Sequence, residues 1–327
     1  MKKIFVSMMA LAALAACSNE EIVSFDKGEA IGFGNPFVEN STRAAIDASY
    51  SGTKELTSFK VYGTVTGNGN TILLYNGNEV VGKVGDAVWG CTGDEQYWVP
   101  NCSYKFYAIA DATSVSPTDA MPTTITYNEN TTANGDLLLA TVEDTTDPQA
   151  GPSKGNPVKF TFTHLLSKAH FTFKKGEYNN TRYTFTVKNI KFTDAYKSGV
   201  YNINIAAGTW GSQNNKGELS FGNLEGNITR DNAATGLQSA NARQFVPATY
   251  TASNPLTISF DVVMMLDGKE LSTVNHTKKF PAEGGADYTF AKNKAYNFEV
   301  TLGDNNAITF TVQALTSWDS KTDISIP

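Results

Sequence analysis

Ile308-Thr309-Phe310-Thr311-Val312 places an apolar side chain at every second position, and this period of two decides the fold class. Successive side chains of an extended strand point to opposite faces, so Ile308, Phe310, Val312 and Ala314 belong to one buried face. The same alternation runs upstream through Tyr296-Asn297-Phe298-Glu299-Val300 and Ile258-Ser259-Phe260-Asp261-Val262. It recurs in Tyr183-Thr184-Phe185-Thr186-Val187 and in Phe59-Lys60-Val61-Tyr62-Gly63-Thr64-Val65. Turn clusters separate these runs, among them Gly67-Asn68-Gly69-Asn70, Asn76-Gly77-Asn78, Asp267-Gly268 and Gly303-Asp304-Asn305-Asn306. No window holds a long 3.6-residue apolar period, so helices should be short and few.

Composition agrees with an all-β chain. Charged residues make up only 18%, while Thr, Asn, Gly and aromatics are plentiful, a mixture suited to sandwiches with polar loops. The net charge of -6 argues against a nucleic-acid partner, which requires a basic face. The 327 residues leave room for about two domains of ordinary size. Residues 143–156 are acidic, carry two prolines and hold almost no apolar side chain, so they read as a long exposed loop. A strand at Pro157–Phe162 follows, then His164-Leu165-Leu166-Ser167-Lys168, and a boundary near residue 163 divides the chain into domains 44–163 and 164–327.

The N-terminus carries a separate signal. Met1-Lys2-Lys3, an apolar run from Ile4 to Ala16, and small residues before Cys17 describe a secretory leader over 1–16. The run is too short to span a bilayer comfortably. Leu14-Ala15-Ala16-Cys17 matches the bacterial lipobox, in which the cysteine sulfur is lipidated; the alternative is an ordinary leader with Cys17 placed by chance. Each buried acyl methylene contributes ~0.8 kcal/mol, so two or more chains hold stably in the outer membrane. Ser18-Asn19-Glu20-Glu21 resembles the surface-export signal of Bacteroidetes lipoproteins, or is simply a solvated linker. Residues 17–43 then form a tether: Ile31 and Phe33 alternate with glycines as in a strand, and a polar hinge leads to Arg43-Ala44, open to a trypsin-like protease.

Catalytic signals are poor. His164, His170 and His276 have no metal-ligand spacing, and a hydrogen-bonded structural role suits the first two. Gly77 to Lys83 imitates a phosphate loop, but Val84 lacks the hydroxyl that would bind magnesium and no helix follows. Acidic residues are scattered over turns with no assignable acid–base pair, and a calcium site at 143–147 competes with plain solvation. Trp89, Trp98, Trp210 and Trp318 lie in or beside apolar strands, where core packing is expected. Cys91 and Cys102 flank Trp89 to Trp98, and in an oxidising compartment a disulfide between them is expected over two buried thiols or a metal pair. No enzyme activity, cofactor or metal is expected.

Several pieces in order resemble the fimbrillin family, pilin-like proteins of Bacteroidales that build type V pili. They are the lipobox with Ile31-Gly32-Phe33 and Ser41-Thr42-Arg43-Ala44; Tyr97-Trp98-Val99-Pro100 with Tyr104-Lys105-Phe106-Tyr107-Ala108; and Asp136-Leu137-Leu138-Leu139-Ala140 with the run 158–168. The closing runs 296–302 and 308–315, then Trp318, complete the set. The resemblance implies two tandem transthyretin-like β-sandwich domains and a structural role in a fimbrium at the cell surface. It also implies cleavage after Arg43, removal of the strand holding Ile31 and Phe33, and filling of the emptied groove by a neighbouring subunit's strand. Candidate donor residues are Ile308, Phe310 and Val312, with Ile324 and Ile326 in the short tail. Expected partners are other fimbrial subunits, a host or bacterial surface ligand, and the outer membrane through the lipid. Two rivals share parts of the pattern: a surface glycan-binding lipoprotein of a polysaccharide-uptake system, which would keep residues 18–43 as a tether, and an extracellular hydrolase, which lacks a catalytic constellation.

Overall fold

The computed structural model describes residues 29–38, 56–83, 85–129, 135–144, 157–176, 182–203, 208–229, 236–303 and 308–315. Cys17, Arg43, Ala44, Trp318, Ile324 and Ile326, on which several expectations rest, lie outside them. Every regular element among the described residues is a strand; the short helices anticipated from sequence do not occur there. In chain order the first ten are β1 (Phe37–Val38), β2 (Ser58–Gly67), β3 (Asn70–Val81), β4 (Gly90–Cys91), β5 (Ser103–Ala110), β6 (Ser114–Ser116), β7 (Thr124–Asn128), β8 (Leu138–Asp144), β9 (Thr161–His164) and β10 (Ser167–Lys175). The rest are β11 (Tyr183–Asn202), β12 (Thr209–Gly222), β13 (Leu237–Gln238), β14 (Arg243–Phe245), β15 (Thr249–Tyr250), β16 (Leu256–Leu266), β17 (Lys269–Phe280), β18 (Tyr288–Thr289), β19 (Lys294–Leu302) and β20 (Ile308–Ala314).

A seven-stranded sheet ordered β1-β9-β8-β5-β2-β3-β4 builds the first half. Its inward positions follow the period of two read from sequence: Phe59 and Val61 on β2, Tyr104, Phe106 and Ala108 on β5. They join Phe33, Trp89, Phe160 and Phe162 in a core drawn entirely from residues 31–162. Residues 77–81, the phosphate-loop imitation, are strand β3. Glu143 and Asp144, expected in an exposed loop, instead extend β8 opposite Lys105 and Tyr104, and Glu143 pairs with the Lys105 ammonium at 2.6 Å.

In the second half two sheets face each other. β10 pairs in parallel with β19, which pairs with edge strand β20. Across the core stand β11, β16 and β17, and rings interlock edge to face: Phe171 with Phe192 at 5.7 Å, Phe173 with Phe260 at 5.2 Å. This core draws on residues 169–302. Such aromatic pairs are worth about 0.5–1.5 kcal/mol beyond burial and favour one packing over its competitors.

One strand serves both halves. The 20-residue β11 pairs with β12 along one edge; its opposite edge takes β16 at Tyr183–Phe192 and then β7 at Ser198–Asn202. Because β6 and β7 come from the first half, the chain between 114 and 128 is laced into the second half's sheet. A third apolar cluster fills this junction, with Tyr62, Tyr107, Ile125 and Tyr127 meeting Leu165, Leu166, Tyr201 and Val246. Polar groups are buried there as well: His164 Nδ1 lies 2.7 Å from Asp136 Oδ2 with both side chains fully buried. Glu129 engages Lys197 at 2.9 Å and also Arg243. His164 therefore has the hydrogen-bonded structural role expected of it.

The candidate strand-exchange site

Residues 29–38 thread between the two ends of the first sheet. On one side Ile31 N–H donates to the Gln96 carbonyl at 2.8 Å, Trp98 N–H to Glu29 at 2.9 Å and Trp89 N–H to Phe33 at 2.7 Å. On the other, Val158 N–H donates to Gly32, Gly34 N–H to Val158 and Phe37 N–H to Phe160, at 2.8–2.9 Å. β1 then runs parallel to β9. Trp89 adjoins β4, one end of the sheet, and Val158–Phe160 adjoin β9 near the other end. The segment thus closes the sheet on itself and covers edges that would otherwise expose unpaired donors and acceptors.

Its side chains explain why it stays. Phe33 is 0% exposed, stacked on Phe160 at 5.9 Å and edge-on to Tyr75 and Phe106 at 5.3 and 6.3 Å. Ile31 and Val38 are buried with it. Gly34 is closely packed: a Cβ would stand 3.1 Å from Pro157 Cγ and 3.3 Å from Lys159 Cγ, so a larger residue would require those side chains to give by a few tenths of an ångström. Ile31 and Phe33, singled out from sequence, are therefore brought together in one apolar seat. Their neighbours Tyr75, Phe106 and Phe160, on β3, β5 and the approach to β9, were not assigned to this segment from sequence. Strand alternation marks those rings as buried, but only the topology says which segment they bury.

The other sequence-predicted residues lie elsewhere. Ile308, Phe310 and Val312 are half-buried on β20, where Phe310 packs against Phe298 at 5.8 Å and Phe280 at 6.0 Å. Trp89 is buried against Phe59, Trp98 lies edge-on to Tyr104 at 4.6 Å, and Trp210 donates its indole N–H to the Leu165 carbonyl at 2.7 Å. The expected Cys91–Cys102 disulfide is not formed, and both thiols are free. Cys91 pairs with Val80, whose β2 partner is Phe59, whereas the Cys102 sulfur sits against Gly67 at the far end of β2. Eight residues of strand amount to roughly 26 Å, several times the span a disulfide bridges. Burial pushes the Cys91 thiol up to about 11, leaving it protonated and unreactive at neutral pH. Among the described residues no three His, Cys, Asp or Glu side chains converge to hold a metal ion.

Comparison with known proteins follows the fold. A family model described as fimbrillin-like matches residues 42–318. No curated protein sequence is a significant match. Among solved structures, a fimbrial protein from Bacteroides vulgatus superposes with a TM-score of 0.62 at 19% identity, covering 89% of this chain and all of that one. A candidate cell adhesion protein from Bacteroides uniformis gives 0.52 at 14% identity, covering 89% and 98%. One from Bacteroides ovatus gives 0.50 at 13% identity with the same coverage. These likenesses establish a shared β-sandwich fold.

Proposed function

The chain belongs to the fimbrillin-like family, and from that premise we propose that it is a structural subunit or adhesin of a surface fimbria, exported as a lipoprotein through Cys17. In this reading a protease cuts after Arg43, the lipid leaves with residues 17–43, and a strand from another subunit takes the seat of Ile31 and Phe33. One observation carries it: residues 29–38 complete a core formed by the rest of the first half, bonded on both flanks and continuous with neither. A replacement strand with alternating apolar residues can satisfy the same two edges. Cutting the chain alone does not eject the segment, because three backbone bonds on each side and the Phe33 contacts remain. Release is therefore coupled to replacement, which keeps the apolar seat from standing open. β20 is the described candidate for the donor, since it ends its sheet and is half-buried. Domains 44–163 and 164–327 belong to the same proposal, with β11 as their shared strand.

Mass spectrometry of the mature N-terminus from cells tests this. Ala44 at the start is the expected result, and Arg43→Ala should leave monomeric, lipid-bearing precursor. Acylated Cys17 as the sole N-terminus, or unchanged polymer from Arg43→Ala, overturns the polymerising role and favours the tethered glycan-binding protein.

A further inference from the structure

The strand that completes the first core is held in a defined direction. Phe33 bridges Trp89 antiparallel and Val158 parallel, and Phe37–Val38 continue in parallel along β9. Any replacement that makes the same backbone bonds keeps the polarity of residues 29–38, and its side chains meet the same neighbours position by position. Those positions differ in the room they leave. At Phe33 the walls are three rings, Tyr75, Phe106 and Phe160, with centroids 5.3, 6.3 and 5.9 Å away, so an aromatic side chain fills the space. A Cβ at Gly32 would meet Pro157 Cβ at 3.8 Å and Val88 Cγ1 at 4.0 Å, ordinary contact distances that admit a small residue. Gly34 is buried, and a Cβ there would stand 3.1 Å from Pro157 Cγ and 3.3 Å from Lys159 Cγ. Lys159 is exposed and its chain can swing aside. Pro157 has less freedom, because its ring ties Cγ to the backbone. The residue after it, Val158, bonds both Gly32 and Gly34.

We propose that this seat selects its strand by size, in the order set by Ile31-Gly32-Phe33-Gly34: a large apolar side chain, a small one, an aromatic one, then glycine. The inference rests on the strand-exchange reading and names the chemistry of the donor. β20 does not meet the last condition. Its apolar face is Ile308, Phe310 and Val312, so whichever of them takes the place of Phe33, the next residue is Thr309, Thr311 or Gln313. Each extends beyond Cβ into the space bounded by Pro157, and overpacking against a ring that cannot rotate away is destabilising. A second copy of this chain is thus a poor donor to this seat. The fitting strand comes from a different subunit, one carrying glycine after its aromatic residue, and β20 suits a seat without that limit.

Substitutions in the resident strand of the full-length chain test the size rule without any partner. Gly34→Thr should speed amide exchange at Trp89 and Phe37, whose N–H groups bond Phe33 and Phe160, by about tenfold. Gly34→Ala should act in the same direction by less, and it keeps the test readable if the threonine variant fails to fold. Gly32→Thr should stay within about twofold of the parent. Pro157→Ala, which removes Cγ, should relieve most of the Gly34→Thr effect. The proposal is overturned by equal effects at positions 32 and 34, or by a Gly34→Thr effect that Pro157→Ala leaves unchanged. Labelled peptides copying residues 29–38, with glycine or threonine at the fourth position of the motif, then read selection during exchange into the full-length chain cut after Arg43. The glycine peptide should enter about tenfold better. Equal entry overturns the size rule; entry of neither counts against strand exchange itself, while the resident-strand variants still decide the size rule.

Discussion

Ile31-Gly32-Phe33 and Ile308-Thr309-Phe310 share an alternating pattern yet meet different fates. The first is only 6% and 0% exposed at its apolar positions, with backbone partners on both flanks. The second is half-buried and hydrogen-bonded on one flank, to β19. The residues between the apolar positions differ in kind. Thr309 and Thr311 point outward from an edge strand, where β-branched side chains suit an exposed pleated face. Gly32, the residue between Ile31 and Phe33, carries no side chain, and a Cβ there would lie 3.8 Å from Pro157 Cβ. Period two thus fixes which face is apolar, while the number of neighbouring chains fixes how completely it is buried. A segment proposed to leave is the better anchored of the two, and this is why its loss would have to be coupled to a replacement.

The largest effect expected from this contrast is on stability. Phe33→Ala removes a fully buried ring touching three others, and such truncations cost about 3–5 kcal/mol. Phe310→Ala removes a half-buried ring; full burial of such a side chain is worth about 1.5–3 kcal/mol, so about 1–2 kcal/mol is expected. Urea denaturation of the two variants measures the difference directly. Equal losses would break the comparison, showing that β20 is as integral to the second core as residues 29–38 are to the first.

Much of this architecture was legible in the sequence. Strand alternation locates the inward residues on β2, β11, β16 and β19, because burial of one face imposes that period whatever the topology. The glycine-spaced Ile31 and Phe33 were legible as a strand for the same reason. Their neighbours were not, since Trp89, Val158 and Phe160 reach the segment only once the sheet closes. β11 was underestimated too: Tyr183–Val187 shows the alternation, but pairing along the next fifteen residues proceeds through register shifts that disrupt it. The disulfide failed on distance. Only ten residues lie between Cys91 and Cys102 in the chain, yet the hairpin between β2 and β3 places them at opposite ends.

A smaller effect probes how the closing segment is held from its far side. A Cβ at Gly82 would fall 2.4 Å from the Trp89 indole ring, which is buried and stacked on Phe59 at 5.8 Å. The same residue bonds the closing segment through its backbone, since the Trp89 N–H donates to Phe33. Overpacking of this kind costs about 1–3 kcal/mol, the loss expected for Gly82→Ala. Altered tryptophan fluorescence together with faster hydrogen exchange at Trp89 would tie the cost to the seat. A neutral Gly82→Ala would mean that the 82–98 stretch yields independently of residues 29–38.

The smallest effect expected is electrostatic and belongs to the second half. His276 on β17 is stacked on Phe260 at 5.6 Å; burial, with Lys278 nearby, lowers its pKa below the usual 6.5, against a weaker opposing pull from Asp261. Asp261 on β16 is itself held below 3.8 by hydrogen bonds from Asn189 and Asn275. Both shifts have the same sign in linkage: the unfolded chain takes up the proton first. Stability from His276 is complete above pH 6.5 and declines as pH falls from there to its lower folded value. That from Asp261 begins to decline only below 3.8. Mild acid should therefore loosen β16 and β17 while leaving the seat of Phe33, lined by aromatic and aliphatic side chains, unaltered. Hydrogen exchange at pH 7 and pH 5.5, corrected for intrinsic rates, reads this strand by strand. His276→Gln should flatten the difference at β17. Equal acid loosening at residues 31–34 would show instead that the two halves open as one unit through β11.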